Sequence, residues 1–133
     1  MNYSAIILAA GVGKRTGLKY NKVLYEIKGK KLIDYSIDRF KEFPSINEII
    51  LVVSQDELDY FISRYDKKVD NIVVGGKERQ DSVYNALMKT SNEYVIIHDG
   101  ARPFIPDYSF KEMIGLIESE KSLTLAVKVK DTI

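Results

Sequence analysis

Glycine and basic residues are concentrated in one short stretch near the N-terminus. Residues 8–17 have the sequence Leu-Ala-Ala-Gly-Val-Gly-Lys-Arg-Thr-Gly. Glycine allows tight turns that bring backbone N–H groups close to an anion. Residues 14–31 hold seven basic side chains and one acidic one, a local charge of +6 in a chain whose net charge is +1. This combination favours the binding of a triphosphate, and the alternative is a solvated basic loop after an ordinary turn.

A pair of glycines begins a second segment of interest. The sequence from residue 75 to residue 82 is Gly-Gly-Lys-Glu-Arg-Gln-Asp-Ser, so that Arg79 and Ser82 are three residues apart. On the first turn of a helix this spacing puts both side chains on one face, where they can contact the same ligand. Taken alone, the segment is better explained as a turn followed by a helix cap.

A histidine, a carboxylate and an arginine follow the apolar run 94–97. Their order is His98-Asp99-Gly100-Ala101-Arg102. Asp99 is suited to Mg²⁺, because this ion usually takes one or two carboxylates together with substrate phosphates. Arg102 can meet a phosphate or neutralise Asp99. We expect His98, the only histidine, to be a hydrogen-bonded structural group, because no nucleophile elbow supports a Ser-His-Asp triad.

Short apolar runs alternate with helical periodicity along the chain. Strands are predicted over 3–8, 48–53, 71–74, 94–97 and 123–127. The helices are marked by apolar residues at helical spacing: Ile33, Ile37 and Phe40; Leu58, Phe61, Ile62 and Tyr65; Val83, Ala86 and Leu87; and Phe110, Met113, Ile114 and Ile117. Ser54 and Glu57 fit a capping box at the start of the second helix.

This alternation predicts the fold class. Because the strands are apolar throughout, we expect an α/β fold, a three-layer αβα sandwich around a mostly parallel, doubly wound, Rossmann-like sheet covered on both faces. Ligands of such sheets bind outside the carboxyl ends of the strands. The three polar segments described above all follow predicted strands, so this edge of the sheet is where a site is expected.

Composition excludes several classes of protein. The chain has 133 residues, of which 45% are hydrophobic and 29% are charged, as expected for one globular domain over 1–133. Twenty basic residues against nineteen acidic ones argue against a nucleic-acid or membrane partner. No apolar run approaches the roughly 18 residues of a membrane span. Cysteine is absent, which fits a reducing compartment, and we expect a cytoplasmic location.

Taken together, the polar segments resemble those of one family. The matching segments are residues 8–15, 21–23, 75–83, 98–104 and 129–133, in the family's order and spacing. In these segments the chain is similar to the N-terminal part of the 2-C-methyl-D-erythritol 4-phosphate cytidylyltransferases, which are sugar-phosphate nucleotidyltransferases. The resemblance implies a transferase of isoprenoid precursor biosynthesis that joins CTP to a sugar-alcohol phosphate and releases pyrophosphate. It also implies that the chain is a catalytic domain truncated at its C-terminus.

The resemblance assigns a role to individual residues. It implies charge stabilisation in catalysis by Arg15 and Lys22, nucleotide binding by Ala9, Ala10, Gly11, Gly13, Gly76, Arg79 and Ser82, Mg²⁺ binding by Asp99, and substrate binding by Arg102 and Thr132. The resemblance further implies a homodimer for the full-length enzymes. One departure concerns the segment around Lys22, where Asn21 stands in place of the proline that is common in the family.

Three other interpretations of the sequence remain open. A ribitol 5-phosphate cytidylyltransferase would share most of these segments, and a substrate panel would separate the two activities. The non-enzymatic alternative is a module that binds CTP and Mg²⁺ but does not catalyse a reaction. The third interpretation is a single domain with no nucleotide site.

Overall fold

The computed structural model describes residues 2–11, 21–102, 111–113 and 116. The strands are β1 Tyr3–Leu8, β2 Glu26–Ile27, β3 Lys30–Lys31, β4 Ile46–Val53, β5 Asn71–Val74 and β6 Tyr94–Asp99. The helices are α1 Leu32–Lys41, α2 Leu58–Tyr65 and α3 Arg79–Leu87, with short 3₁₀ turns at Lys22–Leu24 and Gln55–Glu57. The predicted alternation is confirmed, and β4 and β6 are each two residues longer than expected.

The chain divides into two compact units, Met1–Pro103 and Phe104–Ile133. All of the strands and helices given above belong to the first unit. In the second, residues 111–113 and 116 are helical, which agrees with the helix predicted around Met113. The strand predicted over 123–127 lies outside the described residues. Within the described ranges, no helix has the length and apolar character needed to cross a bilayer.

The central sheet has four parallel strands in the order β5-β4-β1-β6. From β1 the chain moves outward through β4 to β5, and it then crosses back to place β6 on the other side of β1. This reversal is the signature of a doubly wound sheet, and it confirms the predicted fold class. The carboxyl ends of β1 and β6 flank the point of reversal, which is where such sheets bind ligands.

Helices cover both faces of the sheet. On one face, Ala86 of α3 packs in a buried cluster with Ile6, Ile50 and Val52. On the other face, Phe40 of α1 packs edge-on against His98 with ring centroids 5.2 Å apart. The crossovers through α1 and α2 run in the same direction along the sheet, so α2 lies on the same face as α1. The two faces follow from right-handed crossovers that run in opposite directions along the sheet.

Burial is complete only in the middle of the sheet. Nearly every residue of β1 and β4 is buried, whereas β5 and β6 are partly exposed and Ile97 retains 41% exposure. Helices flank both faces of the sheet, as predicted, and the remaining exposure is greatest in β5 and β6. These are the outer strands of the described sheet, and an outer strand lacks a neighbour on one side.

Hydrogen bonds to Glu48 join three segments at the amino ends of the strands. Its carboxylate accepts hydrogen bonds from the Ser4 hydroxyl at 2.6 Å, from the Ser91 N–H at 2.9 Å and from the Ser91 hydroxyl at 3.0 Å. Asn92 donates to the Ser4 hydroxyl at 3.0 Å. Burial would raise the pKa of Glu48, but the hydrogen bonds from Ser4 and Ser91 outweigh it and lower the pKa. The loop before β6 is thereby fixed to β1 and β4.

Replacing Glu48 with glutamine is expected to lower the free energy of unfolding at pH 7 by about 1 kcal/mol, because the side chain loses its charge and one acceptor oxygen. The pKa of Glu48 is lower in the folded state than in the unfolded state. The ionised Glu48 carboxylate therefore makes its full contribution to stability above the pKa that Glu48 has in the unfolded state. That contribution is lost as the pH falls through the pKa of Glu48 in the folded state. Urea denaturation between pH 7 and pH 3 should show a shallower loss of stability in Glu48→Gln than in the parent. Parallel losses would contradict this role.

Candidate functional site

The loops that follow β1 and β5 are in contact at the carboxyl edge of the sheet. The Ala9 N–H donates to the carbonyl of Val52 at 2.7 Å, and the Gly75 N–H donates to the carbonyl of Val53 at 2.8 Å. A methyl group at Gly75 would lie 3.4 Å from Cβ of Ala10. Ala9, Ala10 and the glycine pair are therefore neighbours across the end of β4, as the strand-end rule predicts.

The start of α3 is built around two close approaches. A methyl group at Gly75 would lie 2.6 Å from Oγ of Ser82, and one at Gly76 would overlap Cβ of Asp81. A side chain at Gly76 would therefore displace Asp81, and one at Gly75 would force the Ser82 hydroxyl to move. The Gly76 N–H donates to Oγ of Ser82 at 3.1 Å, and Ser82 is only 7% exposed. The carboxylate of Asp81 accepts the Glu78 N–H at 3.0 Å, so part of this segment is a helix cap, as the simpler interpretation predicts.

Lys22 stands at the start of a 3₁₀ turn beside the end of β1. Its side chain is exposed, whereas its neighbours Asn21 and Val23 are each 3% exposed. Asn21 has φ −65° and ψ 122°. A proline at this position would fix φ at about the same value, so Asn21 has a backbone conformation that proline would also adopt.

The end of β6 is joined to β1 through Gly100. The Gly100 N–H donates to the carbonyl of Leu8 at 2.9 Å. Oδ1 of Asp99 accepts the Ala101 N–H at 3.0 Å, and Oδ2 lies 3.8 Å from Nε of Arg102. Both side chains of this ion pair are largely exposed, at 51% for Asp99 and 84% for Arg102.

Asp99 is a reasonable ligand for a single Mg²⁺ ion. One of its oxygens carries a single hydrogen bond, and the other has only the long contact to Arg102, so both retain capacity to accept. Among the described residues no three carboxylates or histidines cluster in a way that could hold a metal ion. A site with one protein carboxylate would depend on substrate phosphates and water for its other ligands, which is the usual arrangement for Mg²⁺.

The His98 ring faces α1, on the other side of β6 from the Asp99 carboxylate. His98 and Asp99 are neighbours on β6, so their side chains point to opposite faces of the sheet. The His98 ring packs against Phe40 of α1. Burial lowers the pKa of His98, and the smaller effects of a hydrogen bond to the Arg102 backbone and of the Asp99 charge oppose this. This agrees with the structural role expected from the sequence.

Most of the residues singled out in the sequence lie at one edge of the sheet. The described residues there are Ala9, Ala10, Gly11, Lys22, Gly76, Arg79, Ser82, Asp99 and Arg102. Gly13, Arg15 and Thr132 lie outside the described residues. Sequence analysis missed Glu57, which it assigned to a capping box with Ser54. In the structure the Ser54 hydroxyl donates to the Glu57 carboxylate at 3.3 Å and caps no backbone N–H, so the capping box is wrong.

Comparison with known proteins identifies the family. The family model for 2-C-methyl-D-erythritol 4-phosphate cytidylyltransferase (IspD) matches residues 3–133. A curated relative of that name from Clostridium perfringens is 44% identical over 97% of this chain and 60% of its own length. One from Clostridioides difficile is 41% identical over 98% of this chain and 58% of its own length. The chain belongs to the 2-C-methyl-D-erythritol 4-phosphate cytidylyltransferase family.

Solved structures agree with this assignment. The 4-diphosphocytidyl-2C-methyl-D-erythritol synthase of Anaerococcus prevotii superimposes with a TM-score of 0.78 at 32% identity, covering 99% of this chain and 57% of that one. The bifunctional IspDF of Campylobacter jejuni gives a TM-score of 0.87 at 26% identity, covering 100% and 35%. This cytidylyltransferase family member spans about 60% of the length of the curated relatives it matches.

The close approach at Gly76 gives a test of how the candidate site is built. Gly76→Ala should lower the free energy of unfolding by about 1–3 kcal/mol, because its methyl group would force Asp81 to move. Gly11→Ala is the matched control, since no atom would lie within 4 Å of its methyl group, and it should change stability by less than about 0.5 kcal/mol. Urea denaturation of both variants measures the difference. Equal effects would show that the glycine is not required by packing.

Proposed function

We propose that this chain is the nucleotide-binding part of a cytidylyltransferase that joins CTP to 2-C-methyl-D-erythritol 4-phosphate and releases pyrophosphate. One observation carries the proposal. In a member of this family, the loops after β1, β5 and β6 converge at the carboxyl edge of a doubly wound sheet, with the candidate nucleotide-binding residues on them.

The nucleotide would lie along the loops after β1 and β5. The backbone of Ala9–Gly11 would face the phosphates, next to the basic stretch of residues 14–31. Gly76 and Ser82 would contact the cytosine, and Arg79 is exposed beside them. The Ser82 hydroxyl accepts the Gly76 N–H but donates to no other described residue, so its proton is available to a carbonyl oxygen of the base.

In the reaction, a phosphate oxygen of the sugar alcohol attacks the α-phosphorus of CTP. A new P–O bond forms as the bond to the β-phosphate oxygen breaks, and pyrophosphate leaves with that electron pair. Such a reaction needs positioned groups that stabilise negative charge more than it needs covalent participation by the protein. Lys22 would supply positive charge at the α-phosphate together with Arg15, and Thr132 would contact the sugar phosphate.

Asp99 would hold a Mg²⁺ ion in this scheme, with Arg102 beside it. The ion, when bound, would neutralise phosphate charge and orient the triphosphate. A homodimer, which the family leads us to expect, and a cytoplasmic location, which a chain without cysteine fits, complete the proposal.

The binding half of the proposal is tested by calorimetry with Mg²⁺ and each of the four ribonucleoside triphosphates. CTP should bind more tightly than ATP, GTP and UTP. Ser82→Ala should raise the Kd for CTP roughly tenfold, as the loss of one hydrogen bond predicts. Ser63→Ala is the matched control, because Ser63 lies on the exposed side of α2 and, within the described part of the chain, bonds only to the Tyr60 carbonyl. A folded chain that binds no triphosphate would overturn the proposal.

Turnover is tested by following pyrophosphate release in protein extended to the length of the curated relatives. Lys22→Ala should reduce the rate roughly 10²–10³-fold, as the loss of one preorganised charge-stabilising group does, with a smaller effect on CTP affinity. Lys67→Ala provides the control, since Lys67 is exposed at the opposite edge of the sheet. An unchanged rate would remove Lys22 from the mechanism. Faster release with ribitol 5-phosphate would replace the proposed sugar alcohol.

A further inference from the structure

We propose that Asn21 is a positioning residue for Lys22, and that Glu57 fixes Asn21 in place. The inference rests on the role proposed for Lys22 above. It concerns a cluster of three segments at the carboxyl edge of the sheet: the end of β1, the 3₁₀ turn Lys22–Leu24 and the 3₁₀ turn Gln55–Glu57.

The Asn21 side chain bonds to all three segments. Its Nδ2 donates to the carbonyl of Ala9 at 2.7 Å and to Oε1 of Glu57 at 2.8 Å. Its Oδ1 accepts the Val23 N–H at 3.3 Å. Asn21 is 3% exposed, so these bonds form largely out of contact with water. A buried amide whose donors are both satisfied in this way has a single orientation.

The hydrogen bond from Asn21 to Glu57 has a carboxylate as its acceptor. A hydrogen bond to a carboxylate is shorter and roughly twice as strong as one between neutral groups. The carboxylate also accepts the Ser54 hydroxyl at 3.3 Å, which restricts its own motion. Glu57 therefore links the turn after β4 to the residue that precedes Lys22.

The backbone of Lys22 is fixed from both sides, whereas its side chain is not. Tyr25 donates its N–H to the Lys22 carbonyl at 3.0 Å, and the buried side chain of Val23 anchors the following residue. Among the described residues the Lys22 ammonium has no hydrogen bond or ion pair, so only its backbone determines where the charge can reach. In enzymes generally, misplacing a group that acts on the reacting atoms by about 1 Å can reduce the rate about 10²-fold.

The test is a double-mutant cycle in protein extended to the length of the curated relatives, with pyrophosphate release as the assay. Asn21→Ala should lower kcat roughly 10–10²-fold and change the KM for CTP by less than about threefold. In the Lys22→Ala background, the same substitution should change kcat by less than about twofold, because the charge that it positions is gone. Glu57→Ala should resemble Asn21→Ala. Glu57→Gln, which keeps an acceptor oxygen, should retain most of the rate.

A second readout does not depend on turnover. In the parent, the Lys22 and Val23 amides should have NMR order parameters of about 0.85, and in Asn21→Ala these should fall below about 0.6. If Asn21→Ala does not fold, the comparison of Glu57→Ala with Glu57→Gln by the same measurements takes its place.

The outcomes separate this inference from the proposed function. Equal losses of kcat from Asn21→Ala in both backgrounds would show a general structural role and overturn the inference. So would an unchanged kcat in Asn21→Ala when Lys22→Ala is impaired, and the proposed function would then stand. If Lys22→Ala turns over normally, the role proposed for Lys22 fails, and the positioning role fails with it.

Discussion

The end of β1 is the point to which the rest of the carboxyl edge is attached. Over Leu8 and Ala9 the backbone accepts hydrogen bonds from Gly100 and Asn21 and donates one to Val52. The Ala10 side chain lies next to Gly75, where an added Cβ would be 3.4 Å from it. Gly100 follows β6, Asn21 precedes the Lys22 turn, Val52 belongs to β4, and Gly75 follows β5. A displacement of β1 would therefore move every described part of the candidate site together. The complete burial of Ala5, Ile6 and Ile7 holds the strand in place.

The two edges of the sheet use polar groups differently. At the amino edge, the Glu48 carboxylate is saturated by donors from Ser4 and Ser91, and its charge serves stability. At the carboxyl edge, Lys22 and Arg79 are exposed, and Arg102 has only a long contact to Asp99. An exposed ion pair of that length contributes little to stability. The charges at this edge therefore retain their capacity to interact with a ligand.

Local patterns in the sequence predicted much of this arrangement. The bounds of β1 and β5 follow from apolar runs ended by polar or glycine residues, and α1 follows from Ile33, Ile37 and Phe40. The β2–β3 hairpin was missed because its strands have two residues each and are largely polar, which is too short for a period of two to be recognised. Glu57 was misassigned because its partner, Asn21, is 36 residues away. The strand-end rule predicted which residues lie at the carboxyl edge of the sheet, but their contacts depend on packing that no local pattern contains.

The backbone before Lys22 has a geometry that either a proline or the hydrogen-bonded Asn21 could hold. A proline ring fixes φ near −65° covalently and also restricts the unfolded chain, which favours folding. Asparagine loses that restriction, and its side chain must be ordered on folding. In return, its amide forms bonds to Ala9 and Glu57 that a proline cannot form. The geometry before Lys22 thus depends on the position of the turn after β4, and a change at Glu57 can reach Lys22 without any contact between the two.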